Sequence, residues 1–159
     1  MDTYSVVLAL HVMAVMAAYG LPLAYPVLIP YVRRNHPLAM PGLHDVQHLL
    51  NQRVTGPGTV LILLFGAYMA TDRDLWGEAW VIVGLTIIAI IGALGGALVV
   101  PASRRMAELS RADVERAAGG AVAWSADYER VYARYMAAEV LLGVLVLVAV
   151  FFMAAKPFS

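Results

Sequence analysis

Charged side chains fall in clusters along this chain, and the stretches between clusters are apolar and long. No Asp, Glu, Lys or Arg lies between Asp2 and Arg33, between Arg53 and Asp72, or between Glu78 and Arg104; from Arg134 to Lys156 there is only Glu139. Each stretch reaches about 18 residues or more, the length a helix needs to cross a ~30 Å hydrocarbon layer. The apolar runs are continuous rather than alternating, which excludes the strands of a membrane β-barrel. The pattern predicts an all-α polytopic membrane protein: a four-helix bundle forming a single integral membrane domain over residues 1–159, with spans at about 4–31, 54–72, 79–101 and 130–155. The first apolar run has no basic flank and exceeds the core of a signal peptide, so it is expected to be retained.

The polar segments orient the spans. Segment 32–53 carries Arg33, Arg34 and Arg53, and segment 102–134 carries Arg104, Arg105, Arg111, Arg116, Arg130 and Arg134. Only Arg73 and Lys156 fall on the other side. Basic residues favour the cytoplasmic face, which predicts both termini outside and, in a bacterium, a multi-pass protein of the inner membrane. Tyr4, Trp76 and Trp80 would form the outer aromatic belt, and Tyr31, Tyr128, Tyr132 and Tyr135 the inner one. Residues 103–131 read as a cytoplasmic amphipathic helix between spans three and four. Ser110 to Asp113 resembles a capping box, Gly119-Gly120 breaks the helix, and Ser125 opens the next one.

Composition agrees and narrows the classes. Apolar residues make up 62% of the chain and charged residues 14%, and the mean hydropathy is +0.75. A soluble domain has about 45–50% apolar and about 25% charged residues, so an ordinary soluble enzyme is excluded. The formal net charge of zero argues against a nucleic-acid partner, and the absence of cysteine removes disulfides, thiolate metal sites and a cysteine nucleophile. The expected partner is the lipid bilayer. Gly92-x-x-x-Gly96 in span three marks a close-packing face, within the bundle or at a homo-oligomer contact. Pro22, Pro26 and Pro30, four apart on one face, predict a bent or broken inner half of span one.

The polar residues inside the spans are the candidates for chemistry, because ionisable groups are expensive in hydrocarbon. His11 lies roughly 10 Å inside span one at 1.5 Å per residue. A neutral imidazole there can ligate haem iron, relay a proton or bond to a neighbouring helix. Glu139 is the only acid within a span, and it shares a helical face with Tyr128, Tyr132 and Tyr135. It is expected either to be neutral or to pair with Arg53 or Arg104. A proton or ion pathway would use Glu139, Tyr135 and Arg53, with Tyr19 or Tyr25 as intermediates towards His11. His44 and His48 stand one helical turn apart and make a weak metal pair lacking further ligands; an interfacial helix on the cytoplasmic surface is the simpler reading. With Asn51, Gln52 and Arg53, His48 could also cap the inner opening. The sequence shows no nucleophile–base arrangement, paired carboxylates or complete metal set, so an enzyme would depend on a bound cofactor.

Three segments carry a resemblance: Ala9-Leu10-His11-Val12, then Arg53-Val54-Thr55-Gly56-Pro57-Gly58, and finally Arg134-Tyr135 through Glu139-Val140 to Ala155-Lys156-Pro157-Phe158. Together they resemble a bacterial family of four-helix integral membrane proteins with no assigned function. More distantly, the chain is similar to the small membrane-bound, haem-dependent protoporphyrinogen oxidase of bacteria. That resemblance implies a haem ligand at His11, and haem b as the cofactor of a haem-dependent oxidoreductase. The oxidase family also carries a lysine early in helix three, where this chain has Val81 to Gly84, and a later histidine that span three lacks.

Three functions follow as expectations. The first is a bundle that binds a hydrophobic, haem- or porphyrin-like ligand through His11, with Tyr19 nearby. The alternatives are a proton- or solute-conducting subunit using Glu139 and a non-catalytic assembly partner.

Overall fold

A computed structural model describes residues 2–157, so Phe158 of the tail motif lies outside the described residues. The chain is an all-α bundle of four helical rods, each long and apolar enough to cross a membrane: Thr3–Asn35, Pro37–Asp72, Ala79–Ala117 and Ala126–Ala155. This is the expected polytopic four-helix architecture. Each of the first three rods contains a change of helical pitch, and those changes position the site.

The first rod comprises α1 (Thr3–Tyr19) and α2 (Tyr25–Asn35), joined by a 3₁₀ turn at Pro22–Ala24. Asp2 caps α1, its carboxylate accepting the Ser5 N–H at 3.2 Å. Those bonds hold the Asp2 carboxyl below its ordinary range. Pro22 and Pro26 fall in first turns, where a missing N–H sacrifices no helical bond; Pro30 lies inside α2. The proline series thus bends the rod without ending it.

Rods two and three share a different device. The second contains α3 (Met40–Leu50), a π-helical turn at Asn51–Thr55, and α4 (Gly56–Asp72). The third contains α5 (Ala79–Leu94), a π-helical turn at Gly95–Val99, and α6 (Val100–Ala117). Gly56 N–H bonds to Asn51 O and Val100 N–H to Gly95 O, five residues back in both cases. Each wide turn stands just before a proline, Pro57 or Pro101. Proline cannot bond four residues back, and its ring crowds that carbonyl; the wider turn absorbs the conflict while the helix continues.

The fourth rod is a single helix, α7 (Ala126–Ala155). Ser125 caps it as expected, accepting the Tyr128 N–H at 3.3 Å. Ser110 does not cap a helix. It lies within α6, which continues span three, and its hydroxyl bonds back to Ala107 O at 3.2 Å. The amphipathic segment is therefore an extension of rod three, ended by left-handed Ala118 and by Gly119 with φ 86°. Asp113 accepts from Ser125 N at 2.8 Å and from Ser125 Oγ at 3.0 Å, tying that extension to the start of α7.

Close backbone approach holds α1 to α4. A Cβ on Gly58 would lie 2.8 Å from Ala18 Cβ. Gly58→Val is therefore expected to destabilise the fold by about 1–3 kcal/mol through overpacking. Thermal unfolding in detergent checks this; an unchanged Tm would contradict the contact.

Polarity is distributed as a membrane solvent requires. Met16 and Val27 are 69% and 76% exposed on the outer surface, whereas His44, Gln47, Asn51, Ser103 and Glu139 are buried. Tyr128 and Tyr135 are buried too, facing the helices rather than the lipid boundary, which corrects the expected inner belt. At the arginine-rich end, Arg33 pairs with Glu129 across rods one and four, and Arg111 with Asp45 across rods three and two at 2.7 Å. At the opposite end, Arg73 pairs with Asp2 at 3.3 Å.

Candidate functional site

The two π-helical turns face a common cavity of about 400 Å³, lined by residues from all four rods. Small side chains create the space. Gly92, Gly95 and Gly96 line it on rod three, and Gly56 on rod two. A Cβ on Gly95 or Gly96 would meet nothing within 4 Å, whereas one on Gly92 would lie 3.2 Å from Thr59 Cγ2. Gly92 thus faces rod two within the bundle, and Gly96 borders open space.

Five polar side chains line the apolar cavity: Tyr19, Thr59, Thr55, Asn51 and Glu139, of which Thr55 donates its hydroxyl to Ala18 O at 3.2 Å. The first two satisfy one another. Tyr19 Oη and Thr59 Oγ1 are 2.6 Å apart, and Thr59 Oγ1 also donates to Thr55 O at 2.8 Å. Asn51 and Glu139 both stand close to the Tyr135 side chain. Asn51 Nδ2 is buried with no hydrogen-bond partner. Glu139 is 5% exposed and has no ion-pair partner among the described residues. The expected arginine partners lie elsewhere: Arg53 is exposed, and Arg104 pairs with Glu108 at 3.2 Å. Tyr135 stands within hydrogen-bonding reach of the Glu139 carboxyl, so these two residues of the sequence pathway do meet. The hydroxyl of Tyr25, also buried and without a partner, is in electrostatic reach of Glu139.

Below the cavity, a hydrogen-bonded ladder continues to the arginine-rich end. Gln47 Nε2 donates to Tyr135 Oη at 3.4 Å, Gln47 Oε1 lies 2.7 Å from His44 Nδ1, and His44 Nε2 lies 2.9 Å from Tyr128 Oη. Tyr128 stacks on Trp124 and Tyr132, and the Arg33 guanidinium lies 4.5 Å from the Tyr132 ring centroid. The ladder fixes Tyr135, and through it the wall that carries Glu139.

The paired histidines do different work. His44 is fully buried with both ring nitrogens engaged, while His48 Nδ1 lies 3.2 Å from Ser103 Oγ. Residues 40–50 therefore form an extension of rod two at the arginine-rich end, packed against α6, not a helix lying on the membrane surface. Among the described residues, no cluster of three or more His, Cys, Asp or Glu is arranged to hold a metal.

His11 sits in the seam between α1 and α4. Its Cε1 is 3.6 Å from where a Cβ of Gly66 would be, and the ring lies beside the Ile62 backbone carbonyl. Its Nδ1 is buried without a partner. His11 does not line the cavity.

Sequence reasoning gave no special weight to Thr59, Gln47 or Pro101, and placed Asn51 only in a general cap. For the widened turns the only signal was Pro57 and Pro101 themselves, which read as lying at the edges of spans two and three. The chain matches no known protein-family model, no curated protein and no solved structure.

Proposed function

We propose that this protein is an intramembrane binding protein that holds a small, mostly apolar ligand in the cavity between its π-helical turns. One observation carries the reading: an apolar cavity of about 400 Å³ between the four rods is lined by a buried carboxyl, Glu139, that has no ion-pair partner among the described residues. Burying a carboxyl away from any cation is costly, and a ligand that hydrogen-bonds to it offsets part of that cost. Pockets of this kind are largely apolar, with few polar groups that fix orientation.

A photoreactive diazirine alkane in proteoliposomes tests the reading. Saturable labelling of Leu142, Val146 and residues 92–99 is expected. Labelling confined to outward-facing side chains such as Met16 and Val27 would overturn it.

A haem ligated by His11 fits the arrangement poorly, because the imidazole is packed between α1 and α4 against Gly66. A macrocycle on its nitrogen would require those helices to part. Added haem is accordingly expected to give no Soret shift that depends on His11. A shift lost in His11→Ala would restore the haem reading.

A further inference from the structure

We infer that the cavity opens sideways to the bilayer between rods two and three, that a hydrocarbon chain of a membrane lipid fills it through this mouth, and that the ligand proposed above enters by the same mouth. The ligand's use of the mouth rests on the binding reading; the lipid chain and its route rest on the geometry of the opening.

The route follows from where the lining is exposed. Gly56 and Val60 on rod two, and Ala89, Ala93 and Gly96 on rod three, line the cavity and are also exposed at the outer surface. Exposed Leu61, Ile90 and Leu98 flank them along the two rods. All lie in helical rods long and apolar enough to cross a membrane, so the mouth meets hydrocarbon rather than water. On one side of the mouth α4 packs on α5, and on the other α3 packs on α6. Between these contacts, a Cβ at Gly95 or Gly96 would meet nothing within 4 Å. The opposite face of the bundle is shut, because Leu23 of rod one lies 3.3 Å from where a Cβ of Gly143 on rod four would be.

The occupant follows from what stands outside the mouth. Protein interiors are close-packed, and an unfilled cavity costs free energy that grows with its volume. Water needs several polar partners to occupy such a space. Tyr19, Thr55 and Thr59 already bond to one another or to backbone carbonyls, which leaves water few partners here. A lipid chain needs none, and it abuts the mouth at all times. Its entry exchanges one hydrocarbon contact for another, since lipid tails are as apolar as the leucine and valine side chains of the lining. The gain is the filling of the space. Any apolar ligand gains the same, so a hydrogen bond to Glu139 is what lets a ligand replace the chain.

The test uses a phosphatidylcholine with a diazirine at the end of one acyl chain, beside the small diazirine alkane, in proteoliposomes, with labelled residues mapped by mass spectrometry. The lipid should label Leu142 and Val146, which are buried from the outer surface, as well as outward-facing Met16 and Val27. Gly96→Trp and Ala93→Trp should each largely abolish labelling of Leu142 and Val146 by both probes. Labelling of Met16 and Val27, and Tm, should stay unchanged in these variants. Labelling of Leu142 and Val146 by the alkane and not by the lipid would overturn the lipid chain as occupant and leave the binding reading standing. Labelling there by the lipid and not by the alkane would sustain the chain and remove the binding reading. Undiminished labelling in both tryptophan variants would overturn the sideways route.

Discussion

Glu139→Leu is expected to weaken cavity binding by about ten- to a hundredfold, the worth of a buried hydrogen bond of 1–3 kcal/mol. It is expected to leave stability unchanged or raise it. The two effects separate because Glu139 has no cationic partner whose charge would be stranded. Replacing a buried carboxyl by an apolar side chain of similar volume removes a desolvation cost. Tyr135 keeps its bond from Gln47 when the carboxyl is gone. Saturation labelling and thermal unfolding on the same preparation measure both quantities. A large fall in Tm with binding intact would make Glu139 a structural residue and contradict its assignment to the site.

The opposite signature is expected at His44. His44→Leu removes the partner of Gln47 Oε1 at 2.7 Å and that of Tyr128 Oη at 2.9 Å, in a place where neither can reach water. Two orphaned buried groups should cost about 2–5 kcal/mol together. The loss should appear in reversible unfolding in mixed detergent micelles. Binding should fall only as the fraction of folded protein falls. Stability within about 0.5 kcal/mol of the parent would mean that the ladder from Tyr128 to Tyr135 contributes nothing to the arginine-rich end.

These variants mark how far the sequence could be read. The rods were legible because in a bilayer an apolar run of sufficient length has few alternatives to a helix. Glu139 and Tyr135 were legible together because four residues on a helix return to the same face. The partners of that face were not, since helical spacing says nothing about contact between rods; Asn51 and Gln47 come from a segment that read as surface. Ser110 was misplaced because a capping signature is local, and an unbroken helix from span three overrode it. His44 was misread for a related reason. A histidine beside Asp45 looks solvated until α6 and α7 are known to pack over it. The cavity was the least visible feature. It arises from two proline-linked turns distant in sequence that face each other only once the helices associate.

The central claim is that the cavity beside Glu139 holds a small, mostly apolar ligand inside the bundle. An experimental structure in lipid nanodiscs tests it most directly. Non-protein density is expected in the cavity between the π-helical turns, reaching the Glu139 carboxyl. A closed seam at Gly96, with Glu139 paired to Arg53 and no density between the π-helical turns, would contradict the account.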